Sequence, residues 1–172
     1  MSSQAQRPPR GVDPPGRSVD PGVDPRPLLA EKLGAQVLET RTDPDGTLRV
    51  VVDLAAWRPA AETLREAGFE RLDFLSCVDW DDHFDLVLQA YSPTSRIVVR
   101  LVAAVARDGS APSLSDLWPT VGWEEREAYD LFGLSFAGHP DLRRILNPES
   151  WDGHPLRRDY VDDINITRPQ YF

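Results

Sequence analysis

A chain of 172 residues with 41% hydrophobic content and a formal net charge of −9 has the size of one globular domain with an acidic surface. That balance argues against nucleic-acid binding, and no apolar run approaches the roughly 20 residues that span a bilayer. A single cysteine, Cys77, excludes an internal disulfide and an iron–sulfur cluster held by this chain alone, while eleven glycines never form G-x-G-x-x-G or a Walker A loop, so phosphates lack their usual backbone cradle.

Residues 1–27 hold seven of the sixteen prolines and three Val-Asp-Pro triplets, with almost no large apolar side chains. Such a segment cannot bury enough surface to offset its ordering entropy, which predicts a disordered tail. It reads as a neutral extension or as a tether for a partner. The N-terminus has no apolar signal-peptide core and its aspartates disfavour a transit peptide, so the expected compartment is the cytosol.

A short helix is predicted from Leu28 to Gly34, then a strand over 35–41, a turn at Asp43-Pro44-Asp45-Gly46 and a strand over 47–54. In that second strand Leu48, Val50, Val52 and Leu54 alternate with Thr47, Arg49 and Asp53, the pattern of a half-buried hairpin arm. Pro59 suits the first turn of a helix over 58–67 that gathers Ala60, Ala61, Leu64 and Ala67 on one face, with Gly68 as its left-handed stop. Three alternating strands follow at 70–78, 84–91 and 96–105. Their short connections favour an antiparallel meander. The expected fold class is α+β, a mostly antiparallel sheet with helices on one face, followed by an irregular C-terminal arm. The globular domain is set at 28–137 and the arm at 138–172.

The last predicted helix, 122–132, has an acid in the wrong place. At about 100° per residue Glu125 falls in the centre of the stripe formed by Ala128, Tyr129 and Phe132. A buried, ionised carboxylate must find an arginine or a set of backbone N–H donors, and Arg143, Arg144, Arg157 and Arg158 are the candidates. On the opposite face Trp123, Arg126, Glu127 and Asp130 gather, with Arg126 and Asp130 at i, i+4, as a docking surface. Gly133 ends the helix.

Beyond it, GHPDLRR at 138–144 and GHPLRRD at 153–159 form a near repeat. Pro140 and Pro155 bias the preceding His139 and His154 away from helix, so both imidazoles are presented from extended or turn geometry. His139, His154, Asp141 and Asp159 could be read as metal ligands, but H-E-x-x-H spacing is absent and a backbone-bonded neutral histidine is the plainer reading. Glu125 and Glu127 could be read as an acid/base pair, yet residues two apart on a helix point to different faces. Cys77 on a strand reads as a small buried apolar residue. The four arginines are matched by acids at 141, 149, 152 and 159, favouring salt bridges over anion binding. Trp123, Trp151, Tyr129, Tyr160 and the terminal aromatics divide between core packing and an interface.

The stretch EREAYDLFGLSFAGHPDLRRIL and the following WDGHPLRRDY resemble the signature of the C subunit of the proton-pumping NADH-quinone oxidoreductase, respiratory complex I. Glu125-Arg126-Glu127, Asp130-Leu131-Phe132, His139-Pro140, Arg143, Ile145 and Leu146 fall where that pattern places them. The resemblance is close over 114–172, rests on length and strand pattern over 28–106, and does not extend to 1–27. It implies a non-catalytic scaffold subunit of the peripheral arm, on the cytoplasmic side of the cell membrane and touching it only through the complex. FMN, Fe–S clusters and quinone are then carried by neighbouring subunits, and the nearest partner is the large subunit of the quinone site, gripped by the arm. The expected interface set is Glu125, Arg126, Glu127, Asp130, His139, Pro140, Arg143, Arg144, His154, Pro155, Arg157, Arg158 and Tyr160. The Pro/Asp-rich tail departs from the family, and the large-subunit region fused in some relatives is missing, which implies a separate partner polypeptide. The competing reading is a small stand-alone metal or acid/base enzyme using Glu125, His139 and Asp141. A weaker one is a regulatory module recruited through the tail.

Overall fold

The computed structural model describes residues 23–161, so most of the expected tail and the last residues of the expected arm lie outside the described residues. Helix α1 spans Pro25–Leu33. Asp24 caps it by accepting the Arg26 N–H at 3.0 Å, and Gly34, at φ +52°, ends it. The helix starts ahead of the expected Leu28 because prolines are tolerated in a first turn, where the N–H has no intrahelical acceptor. Residues 25–27 therefore belong to α1 and not to the tail.

Strands β1 (Val37–Thr42) and β2 (Leu48–Val52) form the expected hairpin, α2 spans Trp57–Glu66, and β3 (Arg71–Asp79), β4 (His83–Tyr91) and β5 (Val98–Ala106) form the expected meander. The sheet order is β1-β2-β5-β4-β3. The sheet is mostly antiparallel, as expected, with one parallel pairing that joins the hairpin to the meander: β2 lies parallel to β5, with Val50 opposite Leu101 and Val52 opposite Ala103. The segment from α2 through β4 supplies the long crossover that a parallel pair requires. Sequence alternation sets which face a side chain takes, not which strand lies beside it.

The registers line up one continuous apolar face. Val50, Leu101, Leu88 and Leu75 form one row across four strands, and Val52, Ala103, Leu86 and Cys77 the next. Helix α2 lays Trp57, Ala60, Ala61 and Leu64, all fully buried, into the same core. Burying each of the larger side chains is worth about 2 kcal/mol relative to exposure. Cys77 belongs to this core, and burial, reinforced by the Asp79 charge, pushes its thiol up to about 12. It is no nucleophile there.

Helix α3 spans Val121–Phe132, within one residue of its expected range, and ends at Gly133 with φ +78°. It packs along β3 at the sheet edge, where Glu124 accepts the N–H of Leu75, a donor the edge strand would otherwise leave open. Two three-residue strands that no alternation could reveal, β6 (Ser110–Pro112) and β7 (Ser135–Ala137), pair in parallel beneath it. Ser113 N–H donates to the Ala137 carbonyl at 2.9 Å and extends that pairing. This small sheet ties the segment before α3 to the segment after it.

Candidate functional site

Glu125 is fully buried on the core face of α3, as its stripe position requires. Its Oε1 accepts the Leu114 N–H at 2.7 Å and its Oε2 accepts the Ser113 hydroxyl at 2.6 Å. Burial raises the Glu125 carboxyl above its ordinary value, and the Ser113 and Leu114 donors oppose that rise only in part. None of the four expected arginines reaches it. Its partners come from the loop after β6, where sequence reading had assigned no element.

His139 stands 3.9 Å from Glu125, with Nε2–H donating to the Gly122 carbonyl at 3.0 Å and Nδ1 accepting the Asp141 N–H at 3.0 Å. Both ring nitrogens are thus occupied, one as donor and one as acceptor, which is the neutral tautomer. Asp141 turns outward to Arg143 at 2.9 Å. The trio proposed for a metal or acid/base centre therefore shares a neighbourhood but presents no free imidazole nitrogen and no convergent pair of carboxylates.

Asp130 is placed differently from expectation. Sequence spacing put it on an outer docking face beside Arg126, but it is fully buried, because the chain's own arm folds over that face. Its Oδ1 accepts Arg144 Nη1–H at 2.6 Å and Asn147 Nδ2–H at 3.0 Å. Its Oδ2 accepts three successive backbone donors, Ile145 at 3.1 Å, Leu146 at 2.8 Å and Asn147 at 2.8 Å. Burial alone would raise this carboxyl; the Asn147 donors, then Arg144 and the Leu146 N–H, outweigh it and hold it well below the usual carboxylate range.

The arm also caps α3. Arg144 donates to the Asp130 carbonyl at 3.2 Å and to the carbonyls of Trp151 and Gly153 at 3.1 and 2.9 Å. His154 Nδ1–H donates to the same Asp130 carbonyl at 2.9 Å, and the Leu156 N–H to the Leu131 carbonyl at 3.0 Å. The Asp130 and Leu131 carbonyls are among those a helix C-terminus leaves without intrahelical donors. The His154 ring lies over Gly133, where an added Cβ would come within 2.7 Å of it, and Tyr160 lies over Gly153 in the same way at 2.8 Å. Gly133→Ala should therefore combine a left-handed backbone penalty with displacement of His154 and cost about 1–3 kcal/mol. A fall in the thermal midpoint of the free chain measures it, and an unchanged midpoint would show that His154 is not seated there.

The remaining expected residues divide. Arg126 uses Nε–H and Nη2–H on the carbonyls of Arg143 and Arg144 at 3.1 and 2.9 Å, so its expected i, i+4 pairing with Asp130 is replaced by contacts to the arm. Glu127, Pro140, Arg143 and Arg158 are exposed, while Pro155 and Tyr160 are half-buried. Of the expected matches between arm arginines and arm acids, Arg143–Asp141 and Arg157–Asp159 form, both at 2.9 Å. Arg144 and Arg158 pair with acids of the body, Asp130 and Asp81. Arg157 holds the Asp159 carboxyl down to about 2. The arm's far end is fastened where the Arg158 N–H donates to Asp79 at 2.7 Å, beside Arg107, which bonds Asp79 at 2.7 Å. Asn147, Ser113 and Asp79 were not anticipated. Of these only Asn147, which precedes Pro148, carries a signal in the sequence, and it is that of a turn.

A cleft of about 630 Å3 opens beside the first turn of α3, bounded by Trp123, Arg126, His139, Pro140, Arg58 and Asp116. Trp123, 63% exposed, stacks against the Arg126 guanidinium at 5.4 Å. Among the described residues no helix is long and apolar enough to cross a membrane.

The chain is 35% identical over 159 residues to the C subunit of NADH-quinone oxidoreductase from Chloroherpeton thalassium, an alignment covering 86% of this chain and 66% of that one. It is 36% identical over 142 residues to the same subunit from Chlorobium phaeobacteroides, covering 77% and 84%. The chain thus spans about two thirds of the length of the first relative. Among solved structures it is similar to the trypsin-resistant fragment of Nqo5, with TM-score 0.60 and 26% identity, covering 68% of this chain and 98% of the fragment. The family description of the respiratory-chain NADH dehydrogenase 30 kDa subunit matches residues 50–164, from β2 through the latch formed around Asp130. By its sequence over most of its length, its sheet and the helix-and-arm unit that closes it, the chain belongs to the respiratory-chain NADH dehydrogenase 30 kDa subunit family.

Proposed function

We propose that the chain is a non-catalytic subunit in the peripheral arm of an NADH-quinone oxidoreductase, on the cytoplasmic side of the membrane. There it holds the subunits that carry FMN, the Fe–S clusters and the quinone site in register. The observation that supports this best is how the signature residues are spent. Asp130, Arg144 and His154 bind the arm to α3, Glu125 binds the loop after β6, and His139 binds the first turn of α3, so these residues of the most distinctive segment are engaged in holding its own elements together. The residues do not fit an Fe–S cluster either, since the only cysteine lies in the core with its thiol pushed up to about 12. The partner this reading favours first is the large subunit of the quinone site, which meets the arm.

The test is affinity purification of the tagged chain from its native membranes in mild detergent, followed by mass spectrometry and an NADH-quinone assay. Co-elution with flavin, Fe–S and integral-membrane subunits is expected, and recovery alone would overturn the reading. Arg143 gives a sharper version. Its side chain is exposed and, among the described residues, bonds only its neighbour Asp141, so Arg143→Ala should leave folding within about 0.5 kcal/mol. Less of the chain should enter the complex, with turnover per assembled complex unchanged. A selective loss of quinone reduction in fully assembled complex would sink the scaffold role.

A further inference from the structure

We propose that the cleft beside the first turn of α3 receives a carboxylate-bearing segment of a partner subunit, with an Asp or Glu side chain on Arg126 and an apolar or aromatic side chain against Trp123. The inference rests on the subunit reading above and specifies a surface that reading leaves open.

Charge bookkeeping around the cleft singles out Arg126. Arg58 is saturated by Asp116 at 2.6 Å and Glu62 at 2.9 Å, and Asp141 by Arg143 at 2.9 Å. Arg126 holds only main-chain carbonyls, through Nε and Nη2, and among the described residues its Nη1 has no partner and no carboxylate comes within salt-bridge distance. Asp141, the acid its field lowers, is already committed to Arg143. A guanidinium with one edge free and the other pinned to carbonyls is pre-oriented for a carboxylate, and less side-chain entropy is lost when the carboxylate binds. Trp123 fixes it further by stacking at 5.4 Å, yet leaves 63% of its own surface to solvent. Tryptophan and arginine side by side in a concave site are the residue types that dominate interface energetics. The volume, about 630 Å3, accepts two or three side chains and not a folded element. One uncompensated cation matches a carboxylate better than the multiple charges of a nucleotide or a polyanionic lipid.

The experiment replaces Trp123 with the photo-crosslinking residue p-benzoylphenylalanine in the full-length chain and irradiates the assembled complex purified from native membranes. The expected product is one peptide of a partner subunit with an Asp or Glu close to the linked residue. A second variant, Trp123→Glu, puts a like charge beside that carboxylate; it should cut the yield of the chain in the complex about tenfold while leaving the melting temperature of the free chain unchanged. Changing the identified partner acid to Lys should restore that yield. Linkage only to a second copy of this chain, to lipid, or to a peptide without an acid overturns the proposal, as does normal incorporation of Trp123→Glu. No cross-link from a chain that still co-purifies with the complex also overturns it and spares the subunit reading, whereas failure to co-purify sinks both.

Discussion

Asp130→Ala is expected to release the arm. The substitution deletes the acceptor for five donors at once, Arg144, Asn147 Nδ2–H and the N–H groups of Ile145, Leu146 and Asn147, and leaves the Arg144 guanidinium, only 12% exposed, without its counter-charge. Breaking one side of such a buried pair costs about 3–5 kcal/mol, a large share of the roughly 5–15 kcal/mol that holds a domain together. Urea unfolding should show the loss. Trypsin should then cut rapidly after Arg143, Arg144, Arg157 or Arg158 in a chain whose sheet still protects its own sites. Asp130→Asn, which keeps one acceptor oxygen, should fall between. If Asp130→Ala unfolds at the wild-type urea concentration with the wild-type digestion pattern, the latch is not what holds the arm.

The same carboxyl fixes a pH dependence. Because the folded state depresses its value, the protonated form is favoured in the unfolded chain, so Asp130 contributes its full stability above the ordinary Asp range near about 4 and loses it as pH falls below. The stability gap between wild type and Asp130→Ala should accordingly be widest at neutral pH and shrink in acid.

Glu125 behaves in the opposite sense. Burial raises it, so the folded chain holds the proton more tightly and stability is lost as pH climbs from the ordinary Glu value, about 4.3, through the raised one. Glu125→Gln keeps the shape, can still accept the Leu114 N–H and can donate to the Ser113 hydroxyl, and removes a desolvated charge. It is expected to fold within about 1 kcal/mol of wild type and to flatten this part of the pH profile. Glu125→Ala instead orphans the Leu114 N–H, leaves the Ser113 hydroxyl with Ser115 alone and opens a cavity, for a loss of about 2–4 kcal/mol. Equal destabilisation by Gln and Ala would mean that the charge itself is required at this position.

These two acids also mark how far the sequence could be read. Helix α3 was legible because an apolar stripe and Gly133 define it locally, and Glu125 was recognisable as a buried acid in need of donors. The donors were not, because Ser113 and Leu114 lie in a stretch without periodicity and reach Glu125 only through the pairing of β6 with β7. Asp130 was read as an outer-face residue because helical spacing measures angles on one element. A second segment lying over that face is a tertiary fact. The four arginines of the arm were identified as salt-bridge formers, but proximity in sequence could match only Arg143 with Asp141 and Arg157 with Asp159; Arg144 and Arg158 reach across to Asp130 and Asp81.

The parallel pairing of β2 with β5 divides the sheet unequally. Strands β3, β4 and β5 are neighbours in sequence and zip through long antiparallel ladders, whereas the β1–β2 hairpin joins them through five residue pairs between partners 51 positions apart in the chain. Closing so large a loop is entropically expensive and is repaid only after β5 is in place. The hairpin is therefore expected to be the last part of the sheet to be secured and the first to open. Amide hydrogen exchange is accordingly expected to be faster in β1 and β2 than in β3, β4 and β5, at the sheet edge opposite the one that α3 covers.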